Sequence, residues 1–276
     1  MVIKSSPHVH TDLVDGISPA RQTVEKALDK GFCSLGFSEH ARQPFNMEAG
    51  LSQSDEKLYI KIVKELSQTY SDELTISLGI ERDEYSICNR SEYSYIIGSK
   101  HYIAREDYSD FFAVDSDEKT VKAGCDRFFG GNWYALCDRY FRELADYICS
   151  FKPDIIAHFD LVTKLNEKAG FFDENDPRYM KAGYGALERM SKAVRLMEIN
   201  TGAMSRGYRT SPYPAPPFLK RWRELGGEIV FSSDCHNAKY LDYGYDAALK
   251  LALDTGYDAA WRICSRDGKF ERYAIR

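Results

Sequence analysis

Six histidines are the first candidates for chemistry in this chain of 276 residues, because each stands at the end of a short apolar run. Histidines scattered through a core or over a surface would not follow that rule. Imidazoles gathered at strand ends, with carboxylates beside them, are typical ligands of Zn, Mn or Fe. The six are His8, His10, His40, His101, His158 and His236.

The spacing within two motifs places ligand-type side chains on one face of a strand. His8 and His10 are two positions apart, so on a strand both side chains point the same way, about 7 Å apart along the chain. Asp234 and His236 repeat this spacing, and Cys235 between them points to the other face. Each motif is therefore predicted to direct two ligands into one site.

Two further carboxylates complete the candidate ligands. Glu81 ends another apolar run, and Asp15 belongs to an Asp-Gly turn dipeptide, where it could instead cap the following helix. Asp12 competes with Asp15 as the local carboxylate. Glu39 is not counted, because on a strand it would face away from its neighbour His40. Six imidazoles and three carboxylates make nine candidates, enough for two or three ions if one carboxylate bridges.

These ligands stand on seven apolar runs that predict seven β-strands. Near-continuous apolar runs are typical of parallel strands buried on both faces. Strands that alternate with helices predict an α/β fold, and ligands at the carboxyl ends favour a β/α barrel over an open doubly wound sheet. The predicted strands cover residues 2–10, 33–40, 74–81, 93–101, 154–158, 195–200 and 228–236. The predicted helices cover residues 18–30, 54–70, 133–151, 177–193, 216–225 and 243–255.

The chain length suits a single domain spanning residues 1–276, and no linker or change of composition divides it. Residues 102–132 are rich in aromatic and charged residues and lack clear periodicity. A segment of that length is predicted to be a loop that covers the active site.

Composition and charge exclude several classes of function. The net charge is −5 and no basic stripe occurs, which argues against a nucleic-acid partner. No apolar run approaches the roughly 20 residues of a membrane span, and the first residues lack an apolar signal segment. The seven cysteines are widely spaced and form no Cys-x-x-Cys pair, so reduced thiols and a cytoplasmic location are expected. The sequence gives no indication of the oligomeric state.

The order of these motifs resembles that of the PHP (polymerase and histidinol phosphatase) family, from about residue 7 to residue 256. The chain is most similar to the histidinol-phosphatase branch through three segments: IIAHFDLV at 155–162, EINTG at 198–202 and PYP at 212–214. The resemblance implies a distorted seven-stranded (β/α)7 barrel with a trinuclear metal centre.

The resemblance also implies how three divalent ions, Zn, Mn or Fe, would divide the ligands. Asp15 stands where several relatives have histidine, so the third ion is expected to bind more weakly. Carried over by position, one ion takes His8, His10, Glu81 and Asp234, a second shares Glu81 and adds His101 and His158, and a third takes Asp15, His40 and His236.

Clustered divalent ions favour phosphomonoester hydrolysis, in which a metal-bridging hydroxide attacks a metal-bound phosphate. Asp234 or His236 would then protonate the leaving alkoxide. Arg42 and Arg206 follow strand ends at the predicted mouth and are expected to bind the phosphate, with Lys100 as a weaker third choice. The branch implies conversion of L-histidinol phosphate and water into L-histidinol and phosphate. This small substrate carries an amine and an imidazole, so an acidic or aromatic wall is expected, for example from Asp160, Phe45 or the 102–132 segment.

Other functions are compatible with the same metal ligands. A nuclease needs a basic groove with stacking aromatics, which the acidic balance does not favour. General phosphoesterases and phosphotyrosine phosphatases use a similar centre. A non-catalytic, metal-dependent sensing module is a third reading, but it would have little need for all nine ligands.

Overall fold

Nine β-strands form one sheet in the computed structural model, which describes residues 3–276. Neighbouring strands are parallel except for the last pair, which is antiparallel. The order across the sheet is β1 (Ser5–Ser6), β2 (Ser34–Phe37), β3 (Thr75–Asp83), β4 (Tyr95–Ser99), β7 (Ile155–Ile156), β8 (Leu196–Asn200), β9 (Glu228–Ser232), β10 (Ala259–Ile263) and β11 (Phe270–Ala274).

The predicted α/β class is confirmed, but this sheet has nine strands among the described residues instead of the predicted seven. Each of the seven predicted runs contains one strand, and the added pair is the hairpin β10–β11. The hairpin was missed because β11 is largely exposed and lacks an apolar run. The sheet curls, since Val9 bridges to Cys235 and the His10 amide donates to the Cys235 carbonyl (3.0 Å).

Helices pack around the sheet, and all six predicted helices are present with shifts of a few residues. Side-chain caps explain several starts: the Ser52 hydroxyl accepts from the Asp55 amide, and Asn132 accepts from the Ala135 amide. In the described residues no helix has the length and apolar character to cross a membrane. The α-helices are α1 (Ala20–Asp29), α2 (Gln53–Thr69), α3 (Glu118–Phe129), α4 (Trp133–Phe151), α5 (Asn166–Ala169), α6 (Pro177–Met190), α7 (Gly202–Ser205), α8 (Pro216–Glu224) and α9 (Tyr245–Asp254).

The predicted loop at 102–132 is wrong in its internal structure. It contains a two-stranded antiparallel hairpin, β5 (Tyr102–Ala104) and β6 (Phe111–Ala113), followed by α3. Phe112 is buried and packs where Gly124 of α3 leaves room, because a Cβ at that position would lie 2.3 Å from the Phe112 ring. The segment is therefore tied to the core at both its hairpin and its helix.

Tyr95 fills the space inside the curled sheet beneath the strand ends. Its side chain is buried and lies against the backbones of Gly36 on β2 and Gly79 on β3. Its hydroxyl donates to the Pro7 carbonyl, just before the first histidine. One side chain therefore contacts β2, which precedes His40, β3, which carries Glu81, and the segment that leads into His8 and His10.

Gly79→Ala is expected to destabilise the protein by about 1–3 kcal/mol, because the new methyl would overpack a buried ring. Its Cβ would lie 2.3 Å from Cζ of Tyr95. Urea unfolding measures the loss. The matched control is Gly185→Ala in α6, where a Cβ meets no atom within 4 Å; it is expected to stabilise by about 0.5–1 kcal/mol. Equal unfolding midpoints for the two variants would contradict this packing.

Candidate metal centre

The carboxyl ends of the parallel strands bring the nine predicted ligands into one cluster. Glu81 lies within β3, and the other strand-borne ligands follow β1, β2, β4, β7 and β9. Backbone hydrogen bonds fix Glu81 against the segment that follows β2. Its amide donates to the Glu39 carbonyl (2.9 Å), and its carbonyl accepts from the Ala41 amide (2.8 Å). The strand register therefore decides where this carboxylate points.

Glu81 occupies the middle of the cluster and faces five imidazoles, including that of His10, whose Nε2 lies 3.6 Å from Oε2 of Glu81. Its Oε2 lies 2.9 Å from Nδ1 of His40 and 3.3 Å from Nε2 of His8. Its Oε1 lies 3.0 Å from Nε2 of His158 and 3.6 Å from Nε2 of His101. The side chain is 1% exposed. A buried carboxylate in this setting is suited to bridging cations.

Asp234 provides a second carboxylate to the cluster and shares His8 and His10 with Glu81. Its Oδ1 lies 3.2 Å from Nε2 of His10, 3.7 Å from Nε2 of His8 and 3.5 Å from Nδ1 of His236. Its backbone has φ of 45°, a left-handed conformation that costs energy for a residue other than glycine. Gly202 makes room for it, because a Cβ there would lie 2.5 Å from Oδ2 of Asp234. The local structure therefore sustains strain to hold this carboxylate in place.

Asp15, not Asp12, faces the histidines. Its Oδ2 lies 3.0 Å from Nε2 of His236 and 3.6 Å from Nε2 of His40, and its Oδ1 lies 3.6 Å from Nδ1 of His10. Asp12 is exposed. The Asp15 side chain is 45% exposed, so this edge of the cluster opens to solvent.

The donor set fits divalent metal ions. The Nε2 atoms of His8 and His10 lie 3.1 Å apart and face the same carboxylates, an arrangement that a cation between them would stabilise. Three groups have ligand atoms that all lie within 4.8 Å of one another: His10, Asp15, His40 and His236; His8, His10 and Glu81; and His40, Glu81 and His101. His10, His40 and Glu81 each belong to two groups, so neighbouring sites would share ligands.

Opposite charges inside the cluster shift the pKa values of its members. Burial alone would raise the pKa of Glu81. The neighbouring imidazoles of His40, His8 and His101 have the larger, opposite effect, so the pKa of Glu81 lies well below its usual range. Burial lowers the pKa of His8, yet Glu198, Glu81 and Asp234 hold it well above its ordinary value. Metal binding at imidazoles such as His8 would therefore have to displace protons that the surrounding carboxylates stabilise on the rings.

Two further carboxylates orient metal-facing histidines from behind, and sequence reasoning missed both. Oε2 of Glu198 lies 2.9 Å from Nδ1 of His8, while its Oε1 accepts from the His158 amide (2.6 Å). Glu39 is not counted as a ligand because it is expected to face away from His40, yet its Oε1 lies 3.2 Å from Nδ1 of His10 and accepts from the His40 amide (3.3 Å). Such contacts fix the ring orientation and leave Nε2 for the ion.

Asp83 plays the same part for His101. It lies two positions after Glu81 on β3, and its Oδ2 accepts from the His101 amide (2.6 Å) and lies 3.4 Å from Nδ1. The signal that identifies these residues is an acidic side chain within or beside a strand that is otherwise buried and apolar. Glu198 is fully buried on β8, where a charge without a partner would be costly.

Of the three predicted phosphate contacts, the structure brings Arg206 to the cluster. Its Nη2 lies 3.2 Å from Oδ2 of Asp234, and its Nη1 lies 3.1 Å from Nε2 of His236. Arg42 is exposed, with its backbone paired to Ile87.

The prediction for Lys100 needs correction. Its side chain is fully buried, and its ammonium pairs with Glu84 and with Glu143 (2.9 Å for the latter). Adjacent residues on an extended segment point to opposite faces, so a lysine directly before His101 is directed away from the ligands.

Comparisons with known proteins agree on family and fold. The sequence model of the PHP domain matches residues 6–202. The histidinol-phosphatase of Bacillus subtilis is 26% identical in an alignment 274 residues long that covers 90% of this chain and 98% of that protein.

Two crystal structures share the fold. The hisK protein of Listeria monocytogenes superposes with a TM-score of 0.76 at 19% identity, over 88% of this chain and 99% of that one. The histidinol phosphate phosphatase of Lactococcus lactis subsp. lactis, complexed with zinc, L-histidinol and phosphate, gives a TM-score of 0.66 at 18% identity, over 97% of this chain and 98% of that one.

Glu81→Gln is expected to lower metal affinity by more than about 100-fold, because the amide loses the charge that two neighbouring sites would share. Metal per chain after dialysis against a weak chelator, measured by mass spectrometry, reports the loss. The control is Glu25→Gln on the exposed face of α1. Far-UV circular dichroism establishes that both variants fold, and full metal content in Glu81→Gln would refute its central role.

Proposed function

Because this chain belongs to the PHP domain family, we propose that it is a metal-dependent phosphomonoester hydrolase that converts L-histidinol phosphate and water into L-histidinol and phosphate. The observation that carries the proposal is the buried Glu81, surrounded by five imidazoles with an arginine at the edge of the same cluster. The Bacillus relative, which matches along nearly the whole of both chains, supports the choice of substrate.

Three divalent ions are proposed to fill the cluster, drawn from Zn, Mn and Fe, and the zinc in the Lactococcus structure supports this. Divalent ions bound there would supply a nucleophile from water at neutral pH and positive charge for the phosphoryl oxygens. The residues that would hold them are those assigned by the resemblance: His8, His10, Glu81 and Asp234 for the first, Glu81, His101 and His158 for the second, and Asp15, His40 and His236 for the third.

Arg206 is proposed to bind the substrate phosphate. Its Nε donates to the Gly202 carbonyl (3.2 Å), which holds the guanidinium beside Asp234 and His236. A planar guanidinium can donate two parallel hydrogen bonds to phosphate oxygens, so this residue orients the ester at the cluster. Arg42, in the exposed loop after His40, remains a proposed second contact.

Asp234 and His236 are the proposed proton donors to the leaving oxygen. In hydrolysis, a water oxygen forms the new bond to phosphorus, the ester P–O bond breaks, and the departing alkoxide takes a proton. Both residues contact Arg206, the proposed phosphate ligand, and these contacts support the assignment. The His236 side chain is 14% exposed, so it can be reached from the open edge of the cluster.

A cytoplasmic location is also proposed. All seven cysteines are free thiols in the structure, which suits a reducing compartment.

Protein of known metal content is expected to release phosphate from L-histidinol phosphate with a kcat/KM at least about 100-fold above that for an aryl phosphate, because remote binding energy is used on the preferred alcohol. A chelator should abolish turnover, and added zinc or manganese should restore it. Equal, weak rates on both esters would reject histidinol phosphate as the substrate while keeping the hydrolase. Turnover that survives complete metal removal would reject the metal-dependent mechanism.

Arg206→Lys is expected to lower kcat/KM for L-histidinol phosphate by about 10- to 100-fold, mostly through KM, because the ammonium keeps the charge but loses the paired donors. Inhibition by inorganic phosphate should weaken in parallel. Arg195→Lys is the matched control, since Arg195 is 66% exposed and pairs with Glu228 at the start of β9. An unchanged inhibition constant for phosphate in Arg206→Lys would exclude the assigned contact.

A further inference from the structure

A small cavity of about 190 Å³ adjoins the cluster on its open side. Asp15, His40 and His101 form one wall. An ester whose phosphate lies at the cluster must extend its alcohol into space beside these ligands, and this cavity provides such space. The opposite wall includes Gln43, Glu48, Tyr102 and Asp115.

The far wall is rich in negative charge that the protein only partly neutralises. Asp115 forms an ion pair with Nζ of Lys164 (2.9 Å). Glu48 is exposed and forms no ion pair with any residue in 3–276. Lys100, which precedes His101 in the sequence, pairs with Glu84 and Glu143 inside the protein and so does not neutralise this wall. The wall therefore has one carboxylate available to a ligand.

Gln43 supplies an independent indication of a ligand. Its side chain is 3% exposed, and its Nε2 donates to the Ser86 hydroxyl (2.8 Å). Its Oε1 is buried and accepts no hydrogen bond in the described part of the chain. A buried acceptor without a donor is unfavourable, so an N–H group supplied by a ligand in the cavity would stabilise this arrangement.

The loop that carries both residues is held in place without a ligand. Its ends meet where the Leu51 amide donates to the His40 carbonyl (3.0 Å). Phe45 packs against the β5–β6 hairpin, with ring centroids 4.6 Å from Phe111 and 5.3 Å from Tyr102. The Asn46 amide donates to the Tyr102 hydroxyl (3.1 Å). Glu48 is thus presented to the cavity by a preorganised loop.

We propose that this cavity binds the ammonium group of the substrate alcohol, with Glu48 as its counter-charge and Oε1 of Gln43 as a hydrogen-bond acceptor. Both are specificity-determining residues, and the inference rests on the proposed hydrolase function. The enzyme therefore selects phosphomonoesters whose alcohol carries a positive charge near the ester.

The test compares kcat/KM for L-histidinol phosphate with that for the analogue lacking only the amino group. The ratio is expected to favour the amine roughly tenfold in the unsubstituted protein, the effect of one charge-assisted contact. Glu48→Gln keeps the shape and removes the charge, so the ratio should fall close to one. Gln43→Met should lower the ratio severalfold. Glu73→Gln, at an exposed turn before β3, is the matched control and should keep the original ratio.

A ratio near one in the unsubstituted protein, or one that Glu48→Gln does not change, overturns the inference and leaves the proposed function intact. If L-histidinol phosphate is not hydrolysed at all, the proposed function fails. Aminoethyl phosphate and ethyl phosphate then test the cavity alone: a Glu48-dependent preference for the amine supports the inference, and no such preference overturns it.

Discussion

The structure depends on one unfavourable requirement, a carboxylate buried among five imidazoles. Glu81 is almost inaccessible to solvent and cannot be hydrated, so the surrounding rings must supply the opposite charge. Those rings come from segments that are far apart in the sequence: two follow β1, and one each follows β2, β4 and β7. Only a curled sheet of parallel strands brings these carboxyl ends to a single point. The fold and the site are therefore solutions to the same electrostatic problem.

The rest of the local structure limits the freedom of the ligands. Tyr95 fixes the spacing of the strands beneath them, and Glu198, Glu39 and Asp83 fix the rings of three histidines. Asp234 is held in a left-handed conformation against Gly202, which a relaxed turn would not adopt. Rings and carboxylates with one accessible orientation lose little conformational entropy when an ion binds, because most of that entropy is already lost when the protein folds. A cluster with this many constraints is a preorganised receptor for cations.

Much of this could be predicted from the sequence because the ligands are chemically conspicuous and stand at the ends of apolar runs. Periodicity located the strands, and the two-residue spacing of His8 and His10 placed both side chains in one site. The supporting carboxylates could not be predicted because their partners lie on other segments of the chain. Glu39, for example, contacts His10, and nothing near Glu39 in the sequence indicates that contact. Lys100 was misplaced for a local reason, since its neighbour His101 occupies the face that points inward. The hairpin in the 102–132 segment could not be predicted because strands of only three residues are too short to show a periodic pattern.

The arrangement also separates two tasks that the substrate imposes. The strand ends provide charge for the phosphoryl group, and this part is fixed by the sheet. The loop after His40 and the β5–β6 hairpin form the wall that an alcohol would meet, and they contact each other through Phe45, Tyr102 and Phe111 rather than through the ligands. Substitutions in that wall can alter the choice of alcohol without disturbing Glu81 or its histidines. Because loops carry specificity while the sheet carries the chemistry, the choice of phosphoester can change through substitutions in this wall while the cluster stays the same.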